Sequence, residues 1–97
     1  MDKNKLVQDL VDHMKDYDYY HYQDCYENDE EGFDDIARVL SNDCNGVFEF
    51  LNADIDNTLR FEDTRDDYIK ERLKRTVDLA IRVNQYMNYL KENEIEL

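Results

Sequence analysis

Residues 16–35 read DYDYYHYQDCYENDEEGFDD, and the fold depends on what the first half of that stretch does. Five tyrosines fall between Tyr17 and Tyr26, and nine carboxylates line the stretch without a lysine or arginine. Tyrosine favours strands, and YDYYHY partly alternates, so a short strand is one reading. The residues before it favour the other. Leu6, Leu10, Met14 and Tyr17 step at three and four residues, with Val7 and Val11 widening the stripe. Carried on at helical pitch, that face receives His21 and Cys25. The spacing therefore predicts one helix from about Lys3 to about residue 27.

The rest of the chain also reads as helix. There is no proline, and Gly32 and Gly46 are the only glycines, which favours helices joined by short connections. NDEEG interrupts the pattern, and a second helix follows with Phe33, Ile36, Ala37 and Leu40 on one face. It ends at SNDCNG, a cluster of capping and turn residues. A third puts Phe48, Leu51, Ile55 and Leu59 in line, with Val47 beside them. FEDTRDD offers Asp63 or Thr64 as an N-cap. A last, longest helix is expected over about residues 64–92, spanning roughly 40 Å. Its seam is Ile69, Leu73, Thr76, Ala80, Val83, Met87 and Leu90, broadened by Val77 and Ile81. The expectation is an all-α, single-domain bundle of about four helices over residues 1–97.

Ninety-seven residues suffice for one modest core. No run of eighteen apolar residues exists, so no membrane span is expected. The amphipathic start MDKNKLVQDLVDHMKDY lacks the apolar block of a secretory signal. Two cysteines, Cys25 and Cys44, are too few for a disulfide framework. A reduced, cytoplasmic protein is the expectation. The net charge of −13 is concentrated. Residues 1–15 balance three acids with three bases, and residues 60–97 set nine acids against eight bases. Residues 16–59 carry thirteen acids and one base, Arg38, for a net −12. Such a field repels nucleic acid and anionic membranes and attracts basic proteins. The acids comprise sixteen Asp and nine Glu. Asp is the poorer helix former, so solubility alone does not explain the choice.

Site chemistry gives little. Calcium loops close around a glycine and end on a bidentate Glu. DIDNTLRFEDTR from Asp54 has Leu59 and Arg65 at those positions. SNDCNGVFEFLN from Ser41 keeps Gly46 but lacks the first Asp and the last Glu. DYDYYHYQDCYE from Asp16 puts His21 in place of the glycine. His21 and Cys25 have ligand spacing, with Cys44 or His13 as conceivable partners. The plainer reading makes both cysteines small buried residues and packs His21 by its ring. General acid–base work needs a carboxyl in a dry pocket, whereas these acids read as solvated surface. Nucleophile-elbow and phosphate-cradling motifs are missing. No cofactor, metal or enzymatic activity is expected.

That leaves the opening stretch as a recognition surface. On a helix through residue 27, Tyr19, Tyr22 and Tyr26 share a face opposite Leu6, Leu10 and Met14. Exposed there, they would anchor a partner. Alternatively the later helices cover them as core. Around them Asp16, Asp18, Asp24, Glu27, Asp29, Glu30, Glu31, Asp34 and Asp35 would steer cationic groups and bind arginines. In composition, a small helical chain with clustered Asp and Tyr resembles the nucleic-acid-mimicking inhibitors that phages and mobile elements direct against restriction and CRISPR effectors. That resemblance implies a basic nucleic-acid-binding protein, a nuclease or effector complex, as partner, in the cytoplasm of a bacterial host. Direct nucleic-acid binding is not expected. The rivals are an adaptor homodimer joined through the last helix and an antidote masking a basic toxin.

Overall fold

The computed structural model describes residues 2–93. Among them the chain forms five α-helices and no strand: α1 (Lys3–Tyr17), α2 (Tyr19–Cys25), α3 (Asp29–Asn42), α4 (Cys44–Phe61) and α5 (Asp67–Glu92). The protein is all-α with its last helix longest. The expected single helix through residue 27 is instead two, which makes five helices rather than four. The break is one residue, Asp18, at φ −145° and ψ 47°. Its N–H still donates to the Met14 carbonyl at 2.7 Å, and its carbonyl accepts from the Tyr22 N–H at 2.9 Å.

The break has an energetic reason. An unbroken helix would hold Tyr22 on the side away from Leu6 and Leu10. Turning the chain at Asp18 swings that ring inward until it is 4% exposed. Burying a ring of this size contributes about 2 kcal/mol. The cost is a few N–H groups at the start of α2 without helical partners. They lie among exposed Tyr19, Tyr20 and His21, where water can serve them. Tyr22 comes to rest on Gly32 of α3. A Cβ built on Gly32 would fall 2.5 Å from the Tyr22 Oη, so only glycine lets the ring approach this closely.

Carboxylates and amides start the remaining helices. The Asn28 side chain accepts from the Glu31 N–H at 2.8 Å, and the Glu31 carboxylate accepts from the Glu27 N–H at 3.2 Å. Asp29, Glu30 and Glu31 occupy the first turn of α3, where the helix dipole favours negative charge. SNDCNG proves to be a one-residue break. Ser41 and Asn42 belong to α3, and the Asp43 carboxylate caps α4 by accepting from Gly46 N–H at 3.1 Å. The cap of α5 is Asp66, not Asp63 or Thr64. It accepts from the N–H groups of Tyr68 at 2.8 Å and Ile69 at 3.4 Å.

Helices α4 and α5 pair most extensively and run antiparallel. Asp54 meets Arg72 at 3.0 Å, while Cys44 near the start of α4 reaches the Val83 carbonyl at 3.7 Å. Ile69, Thr76, Ala80 and Val83 of the expected α5 seam are buried. Val77, Ile81 and Leu90 are exposed, against expectation, and Leu79 and Tyr86 broaden the buried face instead. On α4, Leu51 is buried and Phe48 and Ile55 pack beside it, but Leu59 faces solvent. Helix α1 supplies Leu6, Val7, Leu10 and Val11 to the same core, against Ile36 and Leu40 of α3. The molecule measures 46 × 30 × 18 Å along its principal axes, about two helix diameters at its thinnest. Among the described residues no outer layer covers α4, and Phe50 and Phe61 stay exposed.

Candidate functional site

The acidic stretch maps onto the end of α1, all of α2 and the first half of α3. Three of its nine carboxylates are used internally. Asp16 takes Arg75 of α5 at 2.6 Å, and that guanidinium also lies over the Tyr17 ring, 5.1 Å from its centroid. Asp29 receives Lys15 at 2.8 Å and the Tyr22 hydroxyl at 3.0 Å. Those two donors hold its carboxyl below the usual range. Asp35 receives the Tyr26 hydroxyl at 2.5 Å and the Arg38 guanidinium, and is depressed by the same pair. Burial, then the Asp35 hydrogen bond, push the Tyr26 phenol well above its ordinary value. Burial acts likewise on Tyr22, followed by its bond to Asp29.

Two of the three expected anchors therefore do something else. Tyr22 is core and Tyr26 is half-buried, and they meet edge to face at 5.1 Å. Through their hydroxyls they hold Asp29 and Asp35 in place. Tyr19 remains exposed at 51%, and its neighbour Tyr20, not among the expected anchors, is exposed at 82%. These two rings pack edge to face at 5.9 Å. Tyr20 lies in the same run, and it is exposed because the break at Asp18 turns α2 relative to α1.

The other six carboxylates have a different character. Asp18, Asp24, Glu27, Glu30, Glu31 and Asp34 are exposed. Among the described residues no cation lies within ion-pairing distance of any of them. Glu31 alone is tied down, by its bond to the Glu27 N–H. Chemically the surface offers acceptors and negative charge, flanked by two phenol rings.

The residues weighed as metal ligands are dispersed. The Cys25 Sγ and His21 Nε2 sit 3.6 Å apart, exposed on α2, against the expectation that both pack inward. Cys44 is buried elsewhere, its thiol pushed up by burial and then by Asp43. His13 is buried beside Thr76, at 3.3 Å. Among the described residues, no three His, Cys, Asp or Glu side chains converge as a metal-binding group. No described helix is long and apolar enough to cross a membrane. Beside the acidic surface, and unforeseen in the sequence, an apolar groove opens between the α1–α2 junction and α4, with Phe50 on its wall. The comparisons with known proteins found no matching family model, no matching curated protein and no matching solved structure.

Proposed function

We propose that this protein is an acidic protein-binding inhibitor that occupies the basic nucleic-acid-binding surface of a partner, in the manner of a DNA mimic. One observation carries the reading: six exposed carboxylates without cations among the described residues, grouped on the α1–α2 junction, α2, the 26–28 connection and α3. Burying an unpaired carboxylate costs several kcal/mol, so an isolated chain keeps such a group in water. A partner lined with Lys and Arg supplies the missing counterions. Nucleic-acid sites carry such linings because they expect a row of phosphates. Glu30 and Asp34 stand four residues apart on α3, and helical neighbours at that spacing are about 5–6 Å apart. Tyr19 and Tyr20 offer faces to groups that otherwise meet bases.

The protein's own architecture favours this reading over an adaptor that dimerises through α5. Ile69, Thr76, Ala80 and Val83 of that seam are buried within the chain, which leaves a second copy only the exposed Val77, Ile81 and Leu90. An antidote to a basic toxin shares the electrostatics and differs in one respect: it need not exclude nucleic acid. The test is capture from a bacterial lysate at low salt, elution at high salt, and competition of the eluted protein with labelled DNA. The expected result is a basic protein whose DNA is displaced in proportion to added inhibitor. Capture of a basic protein that still binds its DNA would favour the antidote, and no salt-sensitive capture would remove the proposal.

A further inference from the structure

The end of α1, the start of α2, α3 and the middle of α4 enclose a solvent-open groove of about 710 Å³. That lies in the range of roughly 300–1,000 Å³ typical of ligand and anchor sites. Its walls are apolar and include Met14, Ile36, Val39, Val47 and Phe50. Phe50 is 66% exposed and Val39 36%, so the described residues leave Phe50 largely and Val39 partly uncovered. The charged lining is Asp18, Asp35, Asp43 and Asp54 against Arg72. Leaving the histidines aside, the lining sums to −3, and Arg38, outside the lining, pairs with Asp35 and reduces this to −2. Arg72 is already engaged by Asp54 at 3.0 Å.

His13 belongs to the same lining. The Thr76 hydroxyl lies 2.8 Å from the Arg72 carbonyl, 3.4 Å from the Asp54 carboxylate and 3.3 Å from His13 Nε2. The buried Nδ1 of His13 has no hydrogen-bond partner among the described residues. Carboxylates around apolar walls suit a ligand that is apolar in the middle and rich in N–H donors at its edges.

We propose that this groove takes an apolar side chain from a segment of the protein partner whose flanking residues are Arg or Lys. This rests on the reading that the partner is basic, and it names the part that docks. The exposed acids and the groove then divide the work. Screened surface charges speed encounter, while an anchor desolvated against Phe50 and Val39 slows release.

The probe is a synthetic amphipathic helix of roughly sixteen residues, about four turns, with Leu and Phe on one face and Arg and Lys elsewhere. Two control peptides replace its Leu and Phe by Ser, or its Arg and Lys by Glu. Binding is read by anisotropy and by the methyl signals of Met14, which lines the groove, and Met87, which packs against the core on α5. The parent peptide is expected to shift Met14 and not Met87, and both controls to fail. Val39→Arg and Phe50→Ala, at exposed positions, should weaken binding about tenfold or more with the melting temperature kept. Equal binding to these variants, an unmoved Met14, or binding of the Glu control would overturn the proposal. So would sedimentation that rises with concentration and is abolished by Phe50→Ala, because a second copy would then fill the groove. The two readings fail separately. DNA competition that survives Val39→Arg and Phe50→Ala removes the groove and leaves the acidic surface standing. A Met14 shift without DNA competition does the reverse.

Discussion

Gly32 and Tyr22 form a close contact between α3 and α2. Gly32→Ala places a methyl 2.5 Å from the Tyr22 Oη, and overpacking of this kind costs about 1–3 kcal/mol. Tyr22→Phe should cost about 1 kcal/mol through the lost bond to Asp29. The two should couple in a double-mutant cycle read by denaturant unfolding, because removing Oη relieves part of the clash; additive costs would place the ring elsewhere. His13 makes a second local prediction. Burial, then the Arg75 charge, hold its imidazole below the ordinary value. Arg72 adds to that effect, and Asp54 and Asp16 oppose it. A depressed folded value means that stability is complete above the unfolded pKa of about 6.5 and is lost as pH falls through the folded one. The melting temperature should therefore decline between about pH 7 and 5 in the parent. In His13→Gln it should stay flat over that window, even if lower throughout. Asp29 and Asp35 are depressed too, and their contributions disappear only at more acid pH, below about 4.

Each helix was legible where one stripe of apolar residues met one core. Leu6, Leu10, Ile36, Leu40, Leu51 and Val83 follow helical spacing in sequence and are buried in the structure. The junction at Asp18 was not legible. The stripe from Leu6 to Tyr17 continues without a flaw through His21 and Cys25, and the decisive factor, a glycine on another helix that admits Tyr22, lies ten residues on. On α5 the heptad spacing is legible at Ile69, Thr76, Ala80 and Val83, whereas the burial of Leu79 and Tyr86 is not, because α1 as well as α4 packs on this helix and sets how wide its buried face is. This gives a contrast in stability. Val83→Ala should cost about 1–3 kcal/mol, as methyl removal from a core does, whereas Ile81→Ala should stay within about 0.5 kcal/mol. Chemical denaturation of both variants separates them, and equal costs would mean that the outer face of α5 is covered.

Charge governs the protein as a unit. Net −13 on 97 residues implies self-repulsion, partly relieved by ion pairs such as Arg82 with Asp9 at 2.7 Å and Arg75 with Asp16. Raising salt from about 0.01 to 0.1 M shortens the screening length from about 30 to 10 Å. The melting temperature should rise with it; a fall would show that ion pairs outweigh repulsion. The acidic half of the candidate surface was legible because runs of Asp and Glu without cations are read directly from composition. Its aromatic half was not, since the exposure of Tyr19 and Tyr20 and the burial of Tyr22 depend on one turn of the chain. Asp18, Asp24, Glu27 and Asp34 accept no side-chain or cap hydrogen bond among the described residues, so their charge can be removed without removing structure. The measurement to make is the association rate of the captured basic partner with the parent and with Asp18→Asn/Asp24→Asn/Glu27→Gln/Asp34→Asn, across salt, with melting of both proteins as the control. The account predicts a variant that melts at the same or a higher temperature and associates more slowly at low salt, the difference fading as salt rises. A variant that folds as well and associates as fast as the parent would show that these carboxylates only face water.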